Sequence, residues 1–434
     1  MGLTKSDPFA RLKALQRPSA LPLSPQARRV DPVADERIME SEAFGCGDWI
    51  AESLGAQVNR NEFGEYLTIT RWFADPSENE VETAALRLLW PDAPETAADR
   101  HQWLFLDTET TGLAGGTGTY AFLVGLASWD AGGIQIEQFF MRDLNEEWAV
   151  LSALAERLEQ RSVLVTFNGK SFDWPLLETR YRITRTIAVP EPRAHLDFLH
   201  PARNLWRLRI GSVRLARLER HVLGWDRGPD LLSDLIPRIY LDFLRGGSHE
   251  PLVSIFRHNQ MDLRGLAALS CRVLSLLADP ETCGRDALEL YGVSRICERR
   301  GELKRARKLY ECSIASSLPA ETDRAARTSL ARLAKREGDY TLARELWGKT
   351  LGSSIGGLEA YEQLAIYHEH HAREPQRAVE VTRQALAELR RAHRLGTITA
   401  GAYQQAKGRF EHRLARLERK SGQTLLKALV LPGV

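Results

Sequence analysis

The chain of 434 residues has few cysteines, no long apolar run and almost no excess of one charge. Its five cysteines, an odd number at wide spacings, argue against a disulfide framework and Cys-x-x-Cys zinc chemistry, and predict buried thiols in a reducing compartment. Charged residues interrupt every apolar stretch well short of the ~20 residues that span a bilayer, and the N-terminus has no apolar signal core. We therefore expect a soluble, cytoplasmic protein that does not interact with membranes.

The net charge of +2 says almost nothing about partners, but the charge is unevenly distributed. Between Arg193 and Arg227 there are eight arginines and only three acidic residues. Such a stretch suits either contact with a phosphate backbone or solvated helix faces, and composition alone leaves both open. The candidates for nucleic-acid contact are Lys170, Arg203, Arg207, Arg209 and Arg214.

The length exceeds that of a usual single domain, so we expect two or three domains. The N-terminal segment is rich in Pro, Ser, Arg and Asp and has no period that would bury a face, which is typical of a flexible leader. The predicted divisions are a leader at 1–40, an extension packed on the next domain at 41–98, an α/β domain at 99–280, helical repeats at 287–421 and a tail at 422–434.

The α/β prediction depends on the order of apolar patterns. Three strands, at Trp103–Asp107, Tyr120–Trp129 and Ile134–Met141, precede a helix at Glu146–Gln160 and a β-branched strand at Val163–Phe167. A meander followed by helix and strand predicts a mixed central sheet flanked by helices.

The C-terminal third carries an internal repeat. The segment Arg300–Tyr310 recurs at Glu337–Trp347 and more weakly near Arg373–Val381. In these copies Ala306, Ala343 and Ala378 mark steps of 37 and 35 residues. This is close to the ~34-residue period of tetratricopeptide helical pairs, in which a small residue lets helices approach. An all-α, tetratricopeptide-like domain is predicted.

Three short segments carry the candidate chemistry. Leu-Asp-Thr-Glu-Thr ends the first buried strand, and alternation along a strand puts Asp107 and Glu109 on one face. Asn-Gly-Lys-Ser-Phe-Asp supplies Asp173 after the next strand, and His-Asn-Gln-Met-Asp places His258 and Asp262 one helical turn apart. Four carboxylates suit two hard cations, and a histidine suits proton abstraction from water. The set predicts metal-dependent cleavage of phosphodiesters.

Two further residues have less decided roles. Asp197, in the block His-Leu-Asp-Phe-Leu-His, either supports a metal ligand from behind or caps the following helix. Asn168 is expected to fix the turn before Asp173 by local hydrogen bonds, close to the metal ligands. The glycine-rich loop Gly112–Gly118 is not a phosphate-binding Walker motif, because it lacks the Gly-Lys-Ser/Thr ending.

At the level of motifs, about 180 residues resemble the ribonuclease-H-like fold of DEDD 3'-5' exonucleases, and specifically the YprB family. The matching segments are Leu106–Thr119, Phe167–Leu177, His195–Arg203, Arg214–Glu219 and Ile236–Tyr240. The resemblance implies that Asp107, Glu109, Asp173 and Asp262 bind two Mg²⁺ or Mn²⁺ ions, with His258 as general base. One departure is that three residues separate His258 from Asp262, where the histidine-type exonucleases usually have four.

The expected function is a metal-dependent nuclease that acts from a 3' end, on DNA or RNA with a single-stranded end as the favoured substrate. The direction of digestion rests on the resemblance alone. The repeats are expected to bind a protein partner or to extend the nucleic-acid surface. The alternative is a non-catalytic nucleic-acid-binding or scaffold protein that uses the repeats as its working surface.

Overall fold

A computed structural model describes residues 52, 54–74, 81–112, 117–228, 230–284, 286–352 and 355–430. The predicted leader at 1–40 and Cys46 lie outside these residues, as does the middle of the glycine-rich loop. Of the four described cysteines, all free thiols, only Cys297 is fully buried and the other three are half-buried. No helix in the described part of the chain is both long and apolar enough to cross a bilayer.

One seven-stranded mixed sheet organises the N-terminal half. Its strands, numbered along the chain, are β1 (Gln57–Asn61), β2 (Gly64–Ala74), β3 (Trp103–Thr110), β4 (Ala121–Asp130), β5 (Gly133–Phe140), β6 (Val163–Thr166) and β7 (Ala194–Asp197). Their spatial order is β1-β2-β5-β4-β3-β6-β7, and only the β3-β6 and β6-β7 pairs are parallel. The predicted meander β3-β4-β5 therefore forms the middle of the sheet, and the earlier hairpin β1-β2 extends it by pairing with β5.

Helices cover both faces of the sheet and then form the C-terminal part. They are α1 (Thr83–Leu89), α2 (Glu147–Glu159), α3 (Asp173–Thr184), α4 (Leu199–Ile210), α5 (Leu215–Leu218), α6 (Ile236–Leu244), α7 (Leu252–Ala278), α8 (Pro280–Cys283), α9 (Ala287–Arg299), α10 (Leu303–Ala315), α11 (Ala320–Arg336), α12 (Tyr340–Thr350), α13 (Ile355–His370), α14 (Pro375–Arg394) and α15 (Ala400–Val430). A π-helical turn, Glu219–Leu223, follows α5. The α/β fold followed by an all-α region is the predicted fold class, which is confirmed.

Alternation along β3 assigns its side chains to two cores. Trp103 and Phe105 belong to one apolar cluster, together with the second half of α7. Leu104 and Leu106 belong to the other cluster, together with α2, α3 and α6. Since successive side chains of a strand point to opposite faces, the polar residues that end β3 are also divided between the α7 side and the α3 side.

The helical region packs directly on the α/β part. Helix α9 lies against α4 so closely that a Cβ at Gly292 would lie 2.9 Å from the Asn204 carbonyl oxygen. Glu289, fully buried at this contact, accepts hydrogen bonds from Trp206, Arg209 and Arg272. The cluster that holds Trp103 continues through these helices as far as Phe410. The two regions thus share one apolar core.

Successive helices of the C-terminal region, from α9 to α15, contact one another in chain order, with α9-α10, α11-α12 and α13-α14 as the pairs that carry the repeat. The marker residues Ala306, Ala343 and Ala378 of the sequence repeat are all fully buried. Each lies near the start of the second helix of a pair, where a larger side chain would separate the two helices. The repeat thus corresponds to a recurring helical hairpin.

Candidate active site

The end of β3 positions the first two carboxylates. Asp107 and Glu109 follow the buried segment Trp103–Leu106 and keep part of their surface accessible. Asn259 of α7 donates hydrogen bonds to the Asp107 carboxylate (2.8 Å) and to its carbonyl oxygen (3.2 Å). Gly125 makes this approach possible, because a Cβ there would lie 2.2 Å from the Asn259 side-chain oxygen. Asp107 is therefore held by α7, on the odd-numbered face of β3.

Asp173 approaches from the other face of β3 as the first residue of α3. The Thr108 hydroxyl donates a 2.6 Å hydrogen bond to its carboxylate. The preceding loop turns through Asn168, which has a left-handed φ of 72°. Strand alternation therefore explains why Thr108, between the two acids of β3, reaches the third acid on α3.

Asp197, at the end of β7, holds this loop in place. Its carboxylate accepts hydrogen bonds from the backbone N–H groups of Asn168 (2.9 Å), Lys170 (3.1 Å) and Leu199 (3.0 Å). The last of these belongs to the first turn of α4, so Asp197 both caps that helix and fixes the loop that precedes Asp173. These contacts involve the helix and the loop, and a role of Asp197 beside a bound metal stays a prediction.

His258 and Asp262 lie on the inner face of α7, as the spacing of four residues predicts. The His258 Nε2 atom is 4.0 Å from Glu109 Oε1 and 3.5 Å from Asp262 Oδ2. On the other side of the ring, Nδ1 is 2.8 Å from Asp230 Oδ1. An ionised carboxylate can only accept a hydrogen bond, so this contact assigns the proton to Nδ1 and leaves Nε2 able to accept one.

Asp230 stays ionised in this position. Burial alone would raise its pKa, but the hydrogen bond from His258, the positive charge of that ring when it is protonated, and the charge of Arg227 bring the pKa below the usual value for aspartate. A carboxylate that remains charged holds the imidazole in one tautomer and stabilises it once it is protonated. The sequence offers no spacing that links Asp230 to His258, which lies 28 residues later.

The clustered carboxylates strongly affect one another. Burial raises the pKa of Asp107 well above its usual range, and the negative charges of Asp262, Glu109 and Asp173 raise it further. Glu109 shows the same combination of burial and repulsion. Burial also raises the pKa of Asp173 to about 6, although the hydrogen bond from Thr108 opposes the shift. The four acids predicted from the sequence are therefore brought together.

A positively charged side chain already contacts part of this cluster. The Arg227 guanidinium pairs with Asp262 and with the buried Glu219 of the π-helical turn, and lies 3.3 Å from Asp230. Within the described residues, no three His, Cys, Asp or Glu side chains form a ready-made metal cluster. Carboxylate oxygens are nevertheless the donors that Mg²⁺ and Mn²⁺ prefer. The donor set fits such an ion, provided that Arg227 releases Asp262.

The predicted nucleic-acid contacts fall into two groups. Lys170, Arg203, Arg207 and Arg214 are exposed. Arg209 instead pairs with Asp286 and Glu289, both at 2.8 Å, at the contact between α4 and α9. Its charge is used to neutralise a buried glutamate, so Arg209 is removed from the predicted phosphate contacts.

Comparison with known proteins assigns a family to the region that contains the candidate site. Residues 104–273 match the RNase_H_2 family of the RNase_H superfamily. The uncharacterized protein YprB of Bacillus subtilis (strain 168) is 30% identical over 325 residues, which cover 74% of this chain and 76% of that protein. The chain belongs to the YprB-like family of ribonuclease-H-like proteins. For this YprB-like protein, membership of the RNase_H superfamily supports a nuclease-type activity on nucleic acid.

Among solved structures, the family B DNA polymerase of the hyperthermophilic archaeon Pyrobaculum calidifontis aligns with 46% of the YprB-like chain, at a TM-score of 0.34 and 14% sequence identity. The aligned region spans 29% of the polymerase chain.

Proposed function

We propose that the protein is a metal-dependent 3'-5' exonuclease that hydrolyses phosphodiester bonds at a single-stranded end of DNA or RNA. The observation that carries this proposal is the mutual electrostatic influence of Asp107, Glu109, Asp173 and Asp262, two of which, Glu109 and Asp262, lie within 4.0 Å of the His258 Nε2 atom. In this proposal the four carboxylates bind two Mg²⁺ or Mn²⁺ ions. The ions would stabilise the negative charge that develops on the leaving oxygen and promote deprotonation of a water. The 3'-5' direction follows from the family resemblance.

Several residues of the chain have separate roles in this reaction. His258 Nε2 accepts a proton from water, because Asp230 holds the other ring nitrogen protonated. Asn259 and Thr108 keep Asp107 and Asp173 in fixed orientations. Arg227 neutralises Asp262 and Glu219, and it would have to release Asp262 for that carboxylate to hold a cation.

End-labelled substrates test this proposal. With Mn²⁺, single-stranded DNA and RNA labelled at the 5' end should give a ladder that shortens from the 3' end. The same strands labelled at the 3' end should release the label as a mononucleotide at once. Internal fragments in place of this pattern would contradict an exonuclease, and the absence of any cleavage would contradict the nuclease proposal.

The contact of Arg227 with Asp262 favours one alternative. A protein cation that balances part of the carboxylate charge suits a non-catalytic nucleic-acid-binding or scaffold protein. Thermal unfolding distinguishes the two, because a ligand that binds the folded state raises the melting temperature. A rise with Mn²⁺ that a chelator reverses supports the nuclease, whereas an unchanged melting temperature supports the scaffold.

We also propose that the helical hairpins are tetratricopeptide-like repeats. The steps between Ala306, Ala343 and Ala378, 37 and 35 residues, lie close to the ~34-residue period of that repeat. All three alanines are fully buried. A protein partner for the exposed surface of these hairpins stays a prediction.

Asp230 should contribute to catalysis by positioning His258. We expect Asp230→Ala to lower kcat about 10–100-fold with little change in KM, since the imidazole loses the group that fixes its tautomer. Asp230→Asn, which keeps a hydrogen-bond acceptor, should retain more activity than the alanine variant. Steady-state kinetics on a labelled oligonucleotide measures both constants.

The matched control is Asp234→Ala, which removes an exposed carboxylate from the same segment. This control should leave kcat unchanged. Equal activity of Asp230→Ala and Asp234→Ala would remove Asp230 from the site, and a loss confined to KM would assign it to substrate binding instead.

A further inference from the structure

A cavity of about 320 Å³ lies where the loop before Asp173 meets the first helical hairpin. Lys170 of that loop and Arg299 and Arg300 at the end of α9 line it. The cavity is also lined by the polar side chains His200 and Asn204 of α4 and by the indole of Trp90. The cavity therefore lies between the loop that precedes Asp173 and the helical region.

Positive charge dominates this cavity. Burial lowers the pKa of Arg299, and the adjacent charges of Arg295 and Arg300 lower it further. Among the described residues, no carboxylate lies within ion-pair distance of Arg299 or Lys170. Like charges held together without a counter-ion on the protein are costly, so an anionic ligand would relieve them.

The other charged groups of the cavity have defined protein partners. Arg300 donates hydrogen bonds to the carbonyl oxygens of Leu88 and Leu89, each at 2.7 Å, and so caps the end of α1. Asp197 is the one acid in the lining, and three backbone N–H groups already share its carboxylate. Arg299 donates a hydrogen bond from Nε to the Arg295 carbonyl oxygen (3.3 Å), so its terminal nitrogens and the Lys170 ammonium are the cationic groups that remain available to a ligand.

The position of the cavity indicates which anion it would meet. Lys170 lies three residues before Asp173, which belongs to the carboxylate cluster. A nucleic-acid strand whose end reaches that cluster would continue over this loop. Cations beside an aromatic ring are the combination that binds single strands, with the phosphate on the cation and a base against the ring.

We propose that this cavity binds the backbone of the substrate strand upstream of the nucleotide that is removed, with a phosphate held between Lys170 and Arg299. The first helical hairpin then extends the nucleic-acid surface of the nuclease. This inference rests on the proposed nuclease function, but binding can be measured without hydrolysis.

The test is the affinity of the full chain for labelled single strands in the presence of a chelator, measured by fluorescence anisotropy. Strands of about 20 and about 2 nucleotides are compared, since a dinucleotide has too few phosphates to occupy the carboxylate site and the cavity at once. Arg299→Glu should weaken binding of the longer strand at least tenfold and leave the shorter strand unaffected. The neutral variant Arg299→Gln should reduce the slope of log affinity against log salt by about 1.

Arg336→Glu is the matched control, because Arg336 is an exposed arginine at the end of helix α11 and does not line the cavity. It should change the affinity for either strand less than twofold. Equal affinities of the Arg299→Glu and Arg336→Glu proteins for the longer strand would overturn the proposal. The first hairpin would then be expected to bind a protein partner instead.

The two proposals fail in different ways. A chain that binds the longer strand through Arg299 but cleaves nothing with Mn²⁺ would end the nuclease proposal and retain the binding site. A chain that digests strands from the 3' end with equal affinity before and after the Arg299→Glu change would do the reverse.

Discussion

Replacing Asp107 by asparagine is expected to lower divalent-dependent hydrolysis at least about 10³-fold, because an amide cannot supply the negative charge that holds a cation at the reacting phosphate. Asp107 is the best position for this test, since the charges of Glu109, Asp173 and Asp262 all act on its carboxylate and raise its pKa. Asparagine keeps the shape of the side chain and an oxygen that can accept the hydrogen bond from Asn259. The change therefore separates charge from packing.

The same variant should fold at least as well as the native chain when no metal is present. Removal of one charge from a crowded, partly buried cluster lessens repulsion, so the melting temperature in chelator should be equal or higher, and its rise with Mn²⁺ should disappear. Asp130→Asn is the control, because Asp130 is an exposed aspartate at the end of β4. Hydrolysis within tenfold of native by Asp107→Asn would refute the site.

The second large effect concerns a buried ion pair that orders the segment beginning at Asp173. Arg180, on α3, pairs with Glu147 through contacts of 2.5 and 2.6 Å, and both side chains are less than a tenth exposed. Its remaining nitrogen donates to the Thr117 carbonyl oxygen, and its guanidinium lies 3.9 Å from the centre of the Tyr120 ring. Arg180 thus ties α3 to α2 and to the chain before β4.

Arg180→Ala should lower the free energy of unfolding by about 3–5 kcal/mol, because it leaves the Glu147 carboxylate buried without a counter-ion. Chemical denaturation followed by circular dichroism measures this change. The double replacement of Arg180 by Met and Glu147 by Gln should recover part of the loss, since no charge is then left unpaired.

Arg182→Ala provides the comparison within the same helix. Arg182 is 70% exposed and lies 4.0 Å from Glu178, so its removal should cost less than about 0.5 kcal/mol. Similar losses for the two alanine variants would mean that the buried pair contributes no more than a surface pair. A loss of hydrolysis by Arg180→Ala at temperatures where it remains folded would connect the pair to the position of Asp173.

The sequence predicts those parts of the site that depend on local pattern. Alternation in Trp-Leu-Phe-Leu-Asp-Thr-Glu-Thr identifies β3 and puts Asp107 and Glu109 on one face, and helical spacing does the same for His258 and Asp262. Both patterns arise within a few residues, so they can be recognised without knowledge of the tertiary structure. The repeat marked by Ala306 is recognised for a similar reason, because it is read by comparing the chain with itself.

Contacts between distant segments were not predictable in this way. Arg227 and Asp230 lie in an irregular segment, and their relation to Asp262 and His258 exists only after α7 packs beside it. The segment before β3 was expected to pack on the α/β domain, yet nothing in it indicated that β2 would pair with β5 along eight residues. Arg209 is a similar case, because its partner Glu289 lies 80 residues further along.

The two halves of helix α7 contact different parts of the protein. Its first half presents His258 and Asp262 to the carboxylate cluster, and its second half, from Leu263 to Leu277, belongs to the apolar cluster that also contains the helical hairpins. A chain cut after this helix would expose apolar side chains on the same helix that carries His258 and Asp262. The helical hairpins and the α/β half therefore depend on each other for folding, and exchange of either one alone would expose part of the apolar core that they share.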